Sequence, residues 1–454
     1  MIVLRDNTQH HIRAIDIDRH MPLERLADID IRDIVSDSGN SILIYPHSFQ
    51  QCDDEIGKQP IFSFKRPPLQ KDRCNDTRIV TGNIAGFISI DGTPVTILSR
   101  FADSVDKDFF LHYMLQKVLN LNIVNLSHGT NSESIFDFLI YLFPKLLNDA
   151  LTQGLFKEYI RHEYNDSNVK GCINVSRHIR QNIPFNGNIA YSTREFSHDN
   201  RVTELVRHTI EYIRTLEAGQ YALDIDADTR ANVSQIISAT PAYNRFDRDK
   251  VISQNIRPVS HPYYTRYAPL QSLCLKILRH DRIKYGNSEN KIYGILFDVS
   301  YLWEEYLGTI LTRHGFKHPN NRKRSGTIYL SDGKAHPRYP DYYNGDSHGV
   351  VIDAKYKSDS NRDDENQMLT YMYRLKSRHG IFIYPTNEEK NDECFKLKGF
   401  GLDNNALLHS IKLHIPQKAE SYDCFKSSIA KSEKRVSEFI GITVATTDRT
   451  DDSC

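Results

Sequence analysis

No two cysteines of this chain stand at a C-x-x-C spacing. Its seven thiols, at positions 52, 74, 172, 274, 394, 424 and 454, are odd in number and scattered. That pattern argues against a zinc site or a disulfide framework and for reduced thiols, hence a cytoplasmic protein. No stretch approaches the ~18 continuous apolar residues of a membrane span. The opening residues, MIVLRDNTQHHIRAID, hold no apolar core long enough for a signal peptide. Net charge is missing too. Lys+Arg and Asp+Glu are both 58. Such a balance opposes a strong autonomous grip on nucleic acid, while leaving room for a local basic groove or for a partner that supplies the grip. There is no G-x-x-x-x-G-K-[ST], no H-E-x-x-H, no G-x-S-x-G and no G-x-G-x-x-G. The 19 histidines show no ligand-like pairing, since adjacent His10 and His11 do not share one helical face. Repeats and low-complexity tracts are absent.

What remains is an ordinary globular composition, 39% hydrophobic and 26% charged, in 454 residues, enough for about two to four domains. The reading is an α+β multidomain protein. Residues 1–130 are β-rich: SILIYP, IFSF, RIVTGNIAGFISI and TPVTIL are short apolar runs broken by turn residues such as DGTP. A helix is expected near KDFFLHYMLQKVLN, where Phe110, Met114 and Val118 fall at helical spacing. Residues 131–288 read as mainly helical. SESIFDFLIYLFPKLLNDAL should kink or break at Pro144, TELVRHTIEYIRTLEAG should end on its glycine, and LQSLCLKILRHD is a further helix. Between them, residues 168–200 are less regular. Residues 289–420 alternate helix and strand as a C-terminal α/β domain, and residues 421–454 read as an extension or frayed tail.

Chemistry concentrates in YPDYYNGDSHGVVIDAKYK, residues 339–357. GVVIDAKYK is strand-like, so Asp353 and Lys355 share one face and Val350, Ile352, Ala354 and Tyr356 the other. RYPDYY is also strand-like, and a fold-back at Asn344-Gly345-Asp346 brings Asp341 within a residue or two of Asp353. Two carboxylates and an amine then converge at one sheet edge, near the surface in a cleft. The alternative is a solvated cross-strand ion pair. The surrounding order is DVSYLWEEYLGTILTRHG as a helix with Asp298 as N-cap and Gly315 past its end, then three strands, a helix ending at Gly380, and the buried strand IFIYP. That order matches the core of the PD-(D/E)xK nuclease fold. Phosphodiester hydrolysis needs an activated water and stabilised negative charge, and a divalent metal supplies both. Asp341 and Asp353 are hard-oxygen ligands suited to Mg²⁺, with Mn²⁺ as a substitute. Lys355 can orient or deprotonate the water or stabilise charge on the phosphate. Glu304 and Glu305 flank the apolar stripe of their helix on opposite sides, and the helical wheel does not choose between them as a third ligand. Gln367 and Tyr371 share a helix face at i, i+4, beside the more apolar stripe of Met368, Met372 and Leu375. NNRKRSG, residues 320–326, is a basic run that either touches phosphates or is a solvated loop.

FDVSYLWEEYL, RYPDYY, GVVIDAKYK, ENQMLTYMYRL and GIFIYP occur together in an order and spacing that resemble the McrC family, the nuclease subunits of McrBC-type restriction systems. AGFISIDGTPVTILSRF with FFLHYMLQKVL, and VKGCINVSRHIRQN…YSTREFSHDN, are similar to that family's non-catalytic region, so the resemblance covers most of residues 80–390. It implies a DNA endonuclease with Asp341 and Asp353 as metal ligands and Lys355 catalytic. It favours Glu304 over Glu305 and places Gln367 and Tyr371 beside the active site. It implies a partner, an AAA+ GTPase of McrB type that forms a hexameric ring, recognises double-stranded DNA in modified form and translocates it, with the nuclease subunit docked through its N-terminal half. Other functions consistent with the residues are a free-standing Mg²⁺ nuclease of repair or mobile-element type and a non-catalytic scaffold with a nuclease fold.

Overall fold

Short β-branched runs interrupted by Gly, Asn and Asp build the first sheet. The computed structural model describes residues 2–12, 23–36, 41–45, 58–65, 77–90, 93–119, 132–216, 219–285, 292–319, 326–345, 349–389, 391–399 and 406–451. Most of the basic run 320–326 and the Asp-Gly of the DGTP turn lie outside them. The chain opens with β1 (Ile2–Arg5), β2 (Gln9–Ile12), α1 (Ile31–Ser36), β3 (Ser41–Tyr45), β4 (Phe62–Lys65), β5 (Thr77–Thr81), β6 (Ile84–Ile90), β7 (Thr93–Leu98) and α2 (Phe109–Leu119). Strands β2, β5 and β4 form a small antiparallel sheet. The larger sheet has the order β1-β7-β6-β11-β3, where β11 (Tyr293–Asp298) comes from nearly 200 residues further on. Strand β11 runs antiparallel to β6 and parallel to β3, between the two. Two glycines allow the close approach: a Cβ on Gly294 would lie 2.2 Å from the Phe87 carbonyl, and one on Gly86 2.2 Å from the Ile295 carbonyl. Leu4, Ile44, Ile88, Ile97 and Leu296 pack in the core of this sheet.

Residues 136–287 form a separate compact unit, inserted into the unit that comprises residues 1–135 and 288–454. Leading into the inserted unit, α3 (Ser132–Leu151) continues as one helix through Pro144, so the break that was one expectation there does not occur. The irregular stretch expected at 168–200 holds most of a three-stranded antiparallel sheet, β8 (Glu158–Asp166), β10 (Ile189–Ser197) and β9 (Cys172–Ile173), with α4 (Val175–Gln181) beside it. Strand β8 buries no residue fully, only alternating half-buried with exposed positions, so its sequence lacks the apolar alternation that betrays a strand. The helices α5 (Arg201–Arg214), α6 (Gly219–Leu223), α7 (Ala227–Ala239), α8 (Arg248–Gln254) and α9 (Tyr267–Tyr285) follow. Gly219, expected to end a helix, instead opens α6, at a position where a Cβ would lie 1.7 Å from the Ile213 carbonyl.

The C-terminal part continues from β11 into α10 (Val299–Leu311), β12 (Ile328–Ser331), β13 (Ala335–Arg338), β14 (Tyr342–Tyr343), β15 (Val350–Ala354), α11 (Arg362–Leu375), β16 (His379–Thr386), β17 (Glu393–Lys396), β18 (Leu407–His414) and α12 (Tyr422–Asp451). Its sheet has the order β14-β15-β16-β18-β17, with a parallel centre and antiparallel edges. Met368, Tyr371, Met372 and Leu375 of α11 pack on Val351, Phe382 and Tyr384. The helix α11 ends at Leu375 on the left-handed Lys376, and Gly380 belongs to β16, where a Cβ would come within 2.6 Å of Met372 Sδ. The expected frayed tail is α12. Its Glu433 accepts hydrogen bonds from Tyr113 and Tyr306, both at 2.8 Å, and pairs with Lys117, tying α12 to α2 and α10. The whole is a mixed α+β protein, and among the described residues no helix is long and apolar enough to cross a membrane.

Candidate functional site

The hairpin of β14 and β15 sets the site. Tyr342 pairs with Ile352 and Tyr343 with Val351, a register that puts Asp341 opposite Asp353. The turn closes by hydrogen bonds between Asn344 and Val350, from Asn344 N to the Val350 carbonyl at 3.2 Å and from Val350 N to Asn344 Oδ1 at 2.5 Å. Gly349 permits this, since a Cβ there would lie 1.7 Å from the Asn344 carbonyl. Asp341 Oδ2 accepts the Ala354 N–H at 2.8 Å. Asp353 is only 2% exposed, because β15 is an inner strand covered on both faces, so the carboxyl expected near the surface is buried. Lys355, just past the carboxyl end of β15, contacts Asp353 Oδ2 at 2.6 Å and donates to Gln367 Oε1 at 3.2 Å. Gln367 Nε2 donates to the Tyr371 hydroxyl at 2.6 Å, and that hydroxyl donates to the Tyr339 carbonyl at 3.0 Å. Thus Asp341, Asp353, Lys355, Gln367 and Tyr371 are brought together, outside the carboxyl end of a parallel strand, where open sheets commonly hold ligands.

The helix α10 starts as its sequence suggests: Asp298 caps it by accepting the Tyr301 N–H at 3.0 Å, and Gly315 takes a left-handed φ of 76° past its end. Its two glutamates both lie near His318 but differ in contact. Glu305 faces His318, with Oε1 3.3 Å from Nε2, while Glu304 acts on Asp341. The carboxyl of Asp341 lies deep among its neighbours, and that desolvation, with the like charges of Asp353 and Glu304, pushes its pKa well up. Burial alone would depress the Lys355 ammonium. The charges of Asp353, Asp341 and Asp364 outweigh it, and its pKa rises.

Sequence reasoning missed two members. His318 stacks on Tyr342 with ring centroids 4.4 Å apart and sets Nδ1 3.1 Å from the Asp341 carbonyl. Burial opposes its protonation, but Glu305, the Asp341 carbonyl and Glu304 raise its pKa, which suits an imidazolium donating from both nitrogens. Asp364 lies 3.5 Å from Lys355 and also pairs with Lys357. It is the third helical residue of a capping box with Asn361, and Asn361-x-x-Asp364 was the available signal.

Among the described residues no three His, Cys, Asp or Glu side chains are closed into a metal cluster. The donor set nevertheless fits one ion class. A buried and a half-buried carboxylate with a third negative charge in reach are hard-oxygen donors whose mutual repulsion a divalent cation would relieve, and Mg²⁺ commonly takes one or two carboxylates, keeping water and substrate oxygens for the rest.

Fold and site together define a mixed α+β protein with an acid, acid, lysine centre at the carboxyl end of an inner strand. The family model described as McrBC 5-methylcytosine restriction system component matches residues 79–385, more than half of the chain, and the chain belongs to that family. Similar solved structures include a chain of the refined half-complex from the tetradecameric assembly of Thermococcus gammatolerans McrB AAA+ hexamers with bound McrC. That match has 15% identity and a TM-score of 0.44, over 96% of this chain and 99% of that one. Another is a chain of the cryo-EM structure of the Thermococcus gammatolerans McrBC complex, at 15% identity and a TM-score of 0.29, over 69% of this chain and 87% of that one. No curated protein matches.

Proposed function

We propose that this chain is the DNA-cutting subunit of a McrBC-type restriction system, a PD-(D/E)xK endonuclease that works docked on an AAA+ GTPase. The carrying observation is the convergence of Asp341, Asp353 and Lys355 on paired strands, with Gln367 and Tyr371 behind the lysine. Asp341 and Asp353 would hold Mg²⁺ or Mn²⁺, with Glu304 at its edge. The metal, when bound, supplies an acidified water and a counter-charge for the phosphate. The chain's own groups do the rest. Lys355 is held on Asp353 and by Gln367, which Tyr371 fixes in turn, so its ammonium would be a fixed positive charge for a phosphate oxygen or the attacking water. In the hydrolysis a water oxygen would bond to phosphorus as the bond to the departing sugar oxygen breaks, the water giving up one proton and the departing oxygen taking one from solvent. The partner would be an AAA+ GTPase of McrB type that recognises modified duplex DNA and delivers it, since a chain of zero net charge has little grip on DNA of its own.

The test is a cleavage assay on modified duplex DNA with the purified chain, an AAA+ GTPase of McrB type, GTP and Mg²⁺. Cutting should require the partner and GTP, stop in EDTA, and vanish in Asp341→Ala, Asp353→Asn and Lys355→Ala. Efficient cutting by the chain alone would instead mean a free-standing nuclease. Cutting that survives EDTA would remove the metal from the reading.

A further inference from the structure

The residue after Lys355 meets an entirely different set of neighbours. Tyr356 is 5% exposed, its ring 6.1 Å from Phe101 and 6.4 Å from Trp303, the residue before Glu304. The Arg100 guanidinium lies over that ring, 4.2 Å from its centroid. Arg100 also donates its backbone N–H to Asp6 Oδ1 at 2.5 Å, and Asp6 is fully buried. The segment is tied on both sides: Asp6 N donates to the Leu98 carbonyl at 2.8 Å, Arg5 Nη1 to the Ala102 carbonyl at 2.6 Å, and the Ser99 hydroxyl to Asp108 at 2.6 Å. Asp6 Oδ2, Arg100 Nη2 and the Tyr356 hydroxyl are buried without a hydrogen bond of regular geometry. Burial pushes the Asp6 carboxyl up to about 7, against the pull of Arg100 and Tyr356. So costly a polar cluster fixes geometry at the expense of stability.

We propose that Asp6, Arg100 and Tyr356 are positioning residues, a buried clamp by which the end of the β1–β7 pair holds the segment carrying Lys355 in register with Asp353 and Gln367. The inference rests on the reading of Lys355 as a working group of a DNA-cutting centre. None of the three touches substrate. They act through the backbone of residues 355 and 356, where Lys355 N–H donates to the Ile383 carbonyl at 3.1 Å.

The test reads Lys355 directly. Reductive methylation of the full-length chain, without DNA or partner, is followed by peptide mass spectrometry. Arg100→Met and Tyr356→Leu, each checked for folding by thermal unfolding, should raise Lys355 labelling several-fold. Lys117, held elsewhere by Glu433, should label as in the wild type. The double variant should be no worse than either single one, as expected of residues acting through one contact. Arg100→Lys, which keeps a cation over the ring, should be intermediate, and it carries the test if Arg100→Met does not fold. In the complex with its partner, the same variants should lower the cutting rate at saturating DNA by roughly tenfold to a hundredfold, with little change in the DNA concentration giving half-maximal rate. Wild-type labelling of Lys355 in a folded Arg100→Met chain overturns the clamp. A wild-type complex that does not cut DNA overturns the reading of the site and leaves the labelling result standing.

Discussion

Glu304 and Glu305 are neighbours in sequence, and both bear on His318, but only Glu305 makes a direct contact with its ring. Glu305 is engaged by His318, whereas the charge of Glu304 bears on Asp341. Glu304→Gln is therefore expected to lower cutting by about tenfold to a hundredfold, and Glu305→Gln by less than about tenfold. Initial rates for both variants in the complete complex decide it, and equal losses would put both glutamates in the same role. The assignment of these two could not be read from a helical wheel, because it depends on His318, which reaches back to Glu305 and forward to Asp341 across long stretches of chain. Asp341, Asp353 and Lys355 were legible for the opposite reason. Their meeting needs only strand alternation and one hairpin register, both local. Gln367 and Tyr371 followed from one helical turn, and their contact at 2.6 Å is what i, i+4 spacing permits.

At the scale of elements, the parallel strands β16 and β18 carry a stacked histidine pair. His379 and His409 lie with ring nitrogens 3.3 Å apart and planes 9° from parallel, and Phe439 of α12 packs edge-on against His409. Burial, then the charge of His379, pushes His409 down to about 4. An imidazole that stays neutral in the fold and protonates near 6.5 when unfolded makes the unfolded chain the greater proton binder. Its contribution is fully present above about pH 6.5 and is lost as pH falls toward about 4, by roughly 3 kcal/mol in all. Urea unfolding midpoints from pH 7 to pH 4.5 should thus fall more steeply for the wild type than for His409→Leu, and parallel slopes would refute this. Elements with strong periodicity, such as α10, α11 and β16, were visible in the sequence. Strands β17 and β18 were not, and β8 was hidden because neither of its faces is wholly apolar.

For the whole molecule, the strand Tyr293–Asp298 was grouped by sequence with the C-terminal domain, yet it lies inside the first sheet, between β6 and β3. A strand's partners are set by long-range pairing that local pattern does not encode. A boundary near residue 288 therefore leaves the first sheet open at its middle. A fragment of residues 1–285 would lose the burial of Leu296, Phe297, Ile295 and Ile292, each worth ~1.5–3 kcal/mol, against a total stability of about 5–15 kcal/mol. That fragment is expected to aggregate or to be degraded by trace protease, as size-exclusion chromatography and limited proteolysis would reveal. A monodisperse fragment with a cooperative unfolding transition near that of the full chain would contradict it. The same shared strand sets a clock on the ribosome. Strands β6 and β3 emerge early, but the strand that joins them is made roughly 200 residues after β7, which is on the order of 10–40 s of synthesis. Throughout that interval the nascent chain carries two unpaired apolar edges, so translation speed and chaperone supply, rather than final stability, should govern how much of the protein reaches its native state.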